Sequence, residues 1–267
     1  MASNSSWPDA APGDSLHPEP VGPTAAPGLP WDGWDVLLIA VFGVGMIFLF
    51  AIAFTLGAEK LFYPRLSFLE VARIPVISVV AQLAAYIAVL AYMHSVATRS
   101  DAGFLPAVSW NWPQQPLIYL VAGVVISIGL QLFAHLLPMP KSLPIDQFFK
   151  TPLEAWVLSL FGITFAPLIE ELFFRGFLYP VLARRLGEVV GIFLTALAFS
   201  LIHAPQLGKA WGPVLIIFLV GLALTIVRAA TKSVAAGVLM HIAYNGTISV
   251  LLFLQTAGFK HLERMAQ

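Results

Sequence analysis

Seven runs of apolar residues, each of roughly the length needed to cross a lipid bilayer, constrain the fold of this chain more than any other feature. About 20 residues of α-helix span the hydrocarbon of a bilayer. Because lipid offers no partner for backbone N–H and C=O groups, only helices and closed barrels cross it. The runs do not alternate polar with apolar residues, so they predict helices rather than barrel strands. They cover residues 36–56, 74–97, 117–137, 152–186, 189–203, 213–229 and 234–256.

Composition points to the same environment. Hydrophobic residues make up 59% of the 267 positions and charged residues only 10%, whereas a soluble domain carries about 25% charged residues. This small number of charged residues cannot cover a water-facing surface. The solvent for most of the chain must therefore be lipid. We therefore predict an all-α, polytopic transmembrane bundle, and expect an integral multi-pass protein of the cell membrane.

The stretch 152–186 leaves the number of crossings open. It is long for one crossing and short for two crossings with a turn between them. Pro167 is a point at which the helix can bend or break, because proline removes a backbone hydrogen bond. The sequence thus predicts seven or eight crossings. The first loop carries Lys60, Arg65 and Arg73 while the N-terminal tail has no Lys or Arg, which predicts an N-terminus outside the cytoplasm.

The chain divides into a tail and one membrane domain. Residues 1–35 hold seven prolines and no basic residue, a composition that cannot bury a core and predicts disorder. Trp31 and Trp34 close this tail, where an interfacial aromatic belt is expected. The loops after residue 36 are short and no repeat of fixed period stands out, so 36–267 is predicted to be a single membrane domain.

Charge and cysteine content exclude several classes of function. The formal net charge is zero and the basic residues are spread between spans, so no nucleic-acid partner is expected. The chain has no cysteine, which excludes disulfides, thiolate nucleophiles and cysteine-ligated metals.

One predicted span carries three charged residues within six positions: Glu170, Glu171 and Arg175. A charge at the centre of a bilayer helix costs about 2.5–3.5 kcal/mol on insertion scales, so it is retained where it is paired or used. Glu171 and Arg175 are four residues apart, with the acid N-terminal to the base, which is the favourable order for an intrahelical ion pair. Glu170 lies about 100° further round the helix, so it must find a different partner.

The register of the next helix indicates that partner. If the chain turns at Leu186–Gly187, an antiparallel hairpin places residue 170 opposite residue 203, since both lie about 16 positions from the turn. Residue 203 is a histidine. A carboxylate facing an imidazole in a site of low dielectric can act on a water between them as a general base.

A third polar group lies in the last span. His241 and Asn245 are four residues apart, so they share one face of the helix. Both side chains can donate hydrogen bonds, and two donors aimed at one point can hold an oxyanion as it forms.

Together these motifs resemble a known family. Glu-Glu-x-x-x-Arg, Phe-x-x-x-His (Phe199 to His203) and His-x-x-x-Asn occur here in the order and at the intervals of the CAAX prenyl protease and bacteriocin-processing family of intramembrane, metal-independent glutamate proteases. The resemblance covers a predicted catalytic core at about 150–255. It implies that Glu171 and Arg175 form a supporting ion pair.

The resemblance also implies a reaction and a partner. Glu170 and His203 would activate the hydrolytic water, and His241 and Asn245 would stabilise the oxyanion, with no cofactor and no metal. The substrate would be a membrane-associated peptide or protein, for example a prenylated peptide, a leader peptide or a transmembrane segment, reached from the lipid bilayer.

Three alternatives remain open on the residues alone. Glutamate and two histidines can bind zinc, although the chain lacks a His-Glu-x-x-His helix, its two histidines lie on separate spans, and Asn245 is a poor zinc ligand. The same polar network can also be purely structural, as in a self-immunity or partner-binding membrane protein. A transporter would use such residues to relay ions, but no inverted repeat supports one.

Overall fold

The computed structural model describes residues 28–99, 101, 103–140, 142–208 and 210–266. Seven helices in these ranges are long and apolar enough to cross a membrane, and the described residues contain no strand. The predicted all-α, polytopic bundle is thereby confirmed, as is an integral multi-pass membrane protein. The helices are α1 (Gly33–Leu61), α2 (Pro75–Ala97), α3 (Pro116–Ala134), α4 (Pro152–Leu186), α5 (Glu188–His203, extended to Leu207 by a 3₁₀ turn), α6 (Trp211–Thr231) and α7 (Val234–Gln255).

The starts of the helices follow from local residue chemistry. Pro75, Pro116 and Pro152 occupy the first turns of α2, α3 and α4, where a missing N–H costs nothing because it has no helical partner. The side chain of Asp32 accepts hydrogen bonds from the backbone of Trp34 and Asp35 at the start of α1. The Asp32 cap thus satisfies two backbone donors that lipid could not satisfy.

The hairpin between α4 and α5 turns where the sequence predicts it. Helix α4 ends at Leu186, Gly187 adopts a φ of 88°, and α5 begins at Glu188. This positive φ is accessible to glycine at little cost. The turn fixes the register that brings the middle of α4 against the end of α5.

The long stretch 152–186 forms one interrupted helix, and with it the described residues contain seven helices that are long and apolar enough to cross a membrane. The helix is interrupted at Thr164, whose φ and ψ are −110° and −73°, three residues before Pro167. This is consistent with the steric conflict between a proline ring and the preceding turn. The chain then winds as a π-helix over Leu172–Leu178.

Side chains from distant parts of the chain donate to carbonyl oxygens of the π-helix. The Trp31 indole Nε1 donates to the carbonyl of Phe177 at 3.2 Å. The Arg228 Nε donates to the carbonyl of Arg175 at 3.1 Å. A π-helix is rare and is found mostly at functional sites, and here it lies directly after the two glutamates.

The N-terminal boundary differs in part from the prediction. The disorder predicted for residues 1–27 concerns positions outside the described residues. Residues 28–35 belong instead to the folded molecule, because α1 begins at Gly33 and Trp31 is buried with its ring 4.4 Å from that of Phe177. Trp34 is 65% exposed, as expected of a residue at a membrane interface.

Helix α7 packs against α3, α4 and α6, and its most extensive contacts are with α3. On α3, Gly123 lies against the backbone of Met240, so that even a methyl group there would overlap the Met240 carbonyl oxygen. Small residues permit this close approach of helices in membranes. The packing fixes the depth and rotation of α7 beside the acidic part of α4.

Candidate active site

The four residues predicted to act on substrate line one cavity inside the bundle. Glu170 comes from α4, His203 from the end of α5, and His241 and Asn245 from α7. The cavity has a volume of about 240 Å³, which is room for several water molecules. Residues from three helices and three separate parts of the sequence thus converge on one polar space.

Glu170 lies between two histidines. Its Oε1 is 3.8 Å from His203 Nε2 and its Oε2 is 3.8 Å from His241 Nε2. The contact to His203 agrees with the hairpin register. Both separations exceed a direct hydrogen bond, yet each pair of atoms can be bridged by one water at about 2.8 Å from each. The Glu170 and His203 side chains are each 18% exposed, so the cavity reaches both.

Hydrogen bonds at the far side of each imidazole define its orientation. His203 Nδ1 donates to the carbonyl of Phe199 at 2.7 Å, and a carbonyl can only accept. His241 Nδ1 donates to Glu171 Oε1 at 3.0 Å. In the neutral tautomers these bonds select, both Nε2 atoms present a lone pair toward Glu170.

The predicted Glu171–Arg175 pair is present and wholly buried. Arg175 Nη1 donates to Glu171 Oε1 at 2.8 Å, and neither side chain is exposed. Arg175 also donates to Thr225 Oγ1 at 3.2 Å and to the carbonyl of Gly221 at 2.9 Å. These bonds tie α4 to α6, so the pair anchors the helix that carries Glu170.

Glu171 has a second partner that sequence reasoning missed. Its Oε1 accepts from both Arg175 and His241, so the ion pair also orients His241. Its Oε2 has no hydrogen-bond partner among the described residues and lies beside Gly237, where a Cβ atom would approach to 2.6 Å. Only the absence of a side chain at Gly237 leaves space for this carboxylate.

Asn245 is engaged with α4. Its Nδ2 donates to the carbonyl of Gly162 at 2.7 Å, just before the interruption at Thr164. His241 and Asn245, which the spacing predicted to share one face of the helix, both line the cavity. Each nevertheless already uses one donor to hold the structure, which leaves Asn245 with one further N–H.

Helix α2 contributes two polar residues that sequence reasoning did not select. Gln82 and Tyr86 line the cavity, and Gln82 Nε2 donates to the Tyr86 hydroxyl at 2.9 Å. The Tyr86 ring stacks on Phe161 with centroids 5.7 Å apart. Their spacing of four inside an apolar span is the same signal that identified His241 and Asn245, so it could have been found. Gln206, in the turn after α5, also lines the cavity.

A second, apolar groove of about 320 Å³ adjoins the polar cavity. It runs between α1, α2, α4 and α5, and its walls include Gly43, Val89 and Phe173. Glu170 and His203 line both spaces. An apolar chain lying in the groove would therefore end beside the two residues predicted to activate water.

Within the part of the chain that the structure describes, no group of three or more acidic or histidine side chains is arranged to hold a metal ion.

Comparison with known proteins identifies the domain that carries these motifs. Residues 152–247 match the family model described as type II CAAX prenyl endopeptidase Rce1-like. No curated protein and no solved structure matches the chain. The matched segment holds all of α4, α5 and α6, together with the part of α7 that carries His241 and Asn245. The resemblance that the three motifs predicted is thus confirmed over residues 152–247, and this match supports, at the level of the family, a CAAX-protease-like intramembrane peptidase.

Proposed function

We propose that the protein is a metal-independent endopeptidase that hydrolyses a peptide bond of a membrane-associated or lipidated peptide with a water activated by Glu170 and His203. The observation that carries the proposal is the position of Glu170, 3.8 Å from an imidazole nitrogen on each side. A water bridging Glu170 and His203 touches a carboxylate and a nitrogen lone pair, the two groups best suited to take its proton.

The reaction balances with these residues alone. The water oxygen attacks the carbonyl carbon, and the water proton passes to the Glu170 carboxylate. Asn245, and His241 when its Nε2 carries a proton, donate hydrogen bonds to the oxygen that becomes negative. The C–N bond then breaks, and Glu170 returns the proton to the leaving nitrogen, which gives a new carboxylate and a new amine.

The apolar groove supports a substrate with an apolar portion. A prenyl chain, a leader peptide or a transmembrane segment can lie in it while the adjoining peptide bond reaches Glu170. Because two of the helices that line the groove, α1 and α2, lie outside residues 152–247, its selectivity would depend in part on the N-terminal half of the chain.

The proposal is tested by cleavage of fluorogenic peptides, prenylated and unprenylated, by the purified protein in proteoliposomes. Glu170→Ala and His203→Ala are expected to lose activity by about 10²–10⁴-fold, the range for loss of a general base. Full cleavage activity in either variant would contradict the proposal.

A chelator separates metal-free from metal-dependent hydrolysis in the same assay. We expect 1,10-phenanthroline and EDTA to leave wild-type cleavage unchanged. Loss of activity that zinc restores would instead assign Glu170 and the two histidines to a metal.

A further inference from the structure

The hydroxyl group of Tyr86 is held in the polar cavity with its own hydrogen uncommitted. The oxygen accepts a hydrogen bond from Gln82 Nε2 at 2.9 Å. No group among the described residues accepts the hydrogen of the hydroxyl. A phenol whose oxygen is already occupied by a donor directs its O–H toward the remaining space, which here is the cavity itself.

Tyr86 also lies at the junction of the polar cavity and the apolar groove, where the scissile bond of a bound substrate is expected. It lines both the polar cavity and the apolar groove, as do Glu170 and His203. A peptide whose apolar portion occupies the groove and whose carbonyl carbon meets a water at Glu170 must pass through this junction. The Tyr86 ring is fixed there by stacking on Phe161.

The two α7 side chains that line the cavity, Asn245 and His241, each already donate one hydrogen bond within the protein. Asn245 donates one N–H to the Gly162 carbonyl, and His241 donates its Nδ1–H to Glu171. An oxyanion that forms at the junction needs donors that are not already engaged. Tyr86 offers one from another helix that lines the cavity, α2.

We propose that Tyr86 is a catalytic residue whose hydroxyl donates a hydrogen bond to the carbonyl oxygen of the scissile peptide bond, and that Gln82 is the positioning residue that aims it. The inference rests on the proposed function and deepens it. Tyr86 keeps its proton throughout, so the balance of the hydrolysis is unaltered. Both residues lie outside 152–247, so the site is completed by the N-terminal half of the chain.

The substitution Tyr86→Phe tests the proposal, because it removes one oxygen and preserves the ring that stacks on Phe161. We expect kcat to fall by about 10²–10³-fold, the usual loss of one oxyanion donor, with KM little changed. Tyr92→Phe is the matched control. Tyr92 lies on the same helix and packs on Phe42 with ring centroids 5.0 Å apart. It lines neither the polar cavity nor the apolar groove, so Tyr92→Phe should keep the wild-type kcat.

A double-mutant cycle tests the role of Gln82. Gln82→Leu should lower kcat by less than Tyr86→Phe does, and the double variant should match Tyr86→Phe alone, since Gln82 acts through the hydroxyl. Additive losses in the double variant would overturn the positioning role.

The outcomes separate this inference from the proposed function. If wild type cleaves, Glu170→Gln does not, and Tyr86→Phe keeps the wild-type kcat, the inference is wrong and the proposed function stands. A rise in KM with unchanged kcat would likewise overturn it, because the hydroxyl would then only bind substrate. If Glu170→Gln cleaves as wild type does, the proposed function itself fails.

Discussion

Glu170 and Glu171 are neighbours in the sequence, yet their carboxylates have different surroundings. Glu171 is fully buried and held by Arg175 and His241. Glu170 is partly accessible and has no contact shorter than 3.8 Å to either histidine. The Glu171 carboxylate is therefore held in place by the protein through Oε1, while the Glu170 carboxylate is left free to bind water and substrate.

Replacing Glu171 with glutamine should destabilise the protein. The substitution leaves the Arg175 charge buried without its counter-ion, and removing one partner of a buried pair costs about 3–5 kcal/mol. Thermal unfolding followed by tryptophan fluorescence, in parallel with the assay, measures this loss. Glu154→Gln is the control, since Glu154 caps the exposed start of α4. A Glu171→Gln protein as stable as the control would contradict the anchoring role.

For individual residues, the sequence predicted contacts within one helix or one hairpin better than contacts between helices that are distant in the chain. The Glu171–Arg175 contact follows from helix geometry, and the approach of Glu170 to His203 follows from the position of Gly187. The bond between His241 and Glu171 joins residues 70 apart on separate helices. It depends on how α7 is rotated and how deeply it sits, which spacing along a single helix cannot specify.

Helix α4 is the element on which the site depends most. Its interruption at Thr164 and its π-helical segment bracket the two glutamates. The sequence indicated a disturbance through Pro167 but not the π-helix, because the carbonyls involved are satisfied by Trp31 and Arg228 from elsewhere in the chain. Such long-range donors leave no local pattern.

The close approach of α7 to α4 is tested by Gly237→Ala. The new Cβ atom would lie 2.6 Å from Glu171 Oε2, so either the carboxylate or α7 must shift, and both cleavage and thermal stability should fall. Gly246→Ala, on the same helix with nothing within 4 Å of its Cβ, should be tolerated or slightly stabilising, as alanine favours helix. Equal tolerance of both substitutions would contradict the observed contact.

For the whole molecule, composition predicted a membrane environment, and the length and lack of alternation of the apolar runs predicted an all-helical bundle. The number of crossings could not be predicted, since 152–186 allowed one passage or two. In the structure the entire stretch continues as one interrupted helix between α3 and α5, which favours seven crossings. The predicted single domain over 36–267 remains a prediction.

Seven crossings require that the two ends of α4 lie on opposite sides of the membrane. The natural chain has no cysteine, so single substitutions can be labelled without background. Ser142→Cys precedes α4 and Leu186→Cys ends it, and both positions are exposed. A membrane-impermeant maleimide should label Leu186→Cys in intact cells, and Ser142→Cys only after permeabilisation. Labelling of both positions from one side would indicate eight crossings.

The direction of this labelling follows from the basic residues. The predicted cytoplasmic face is the one that holds the α1–α2 loop and the C-terminal end, and its described basic residues are Lys60, Arg65, Arg73, Lys150, Lys260 and Arg264. The opposite face holds fewer, Arg99, Arg184, Arg185 and Lys232. The reverse labelling pattern would contradict this orientation.

The central claim is that Glu170 activates water rather than holding helices together, and one paired measurement on Glu170→Gln tests it most directly. The cleavage rate and the thermal midpoint are measured on the same preparation in proteoliposomes. A catalytic Glu170 predicts a rate lower by about 10²–10⁴-fold with a midpoint that is unchanged or raised, because active-site groups are often held at a cost to stability. A variant that cleaves at the wild-type rate, or one whose midpoint falls as that of Glu171→Gln is expected to fall, would contradict the account.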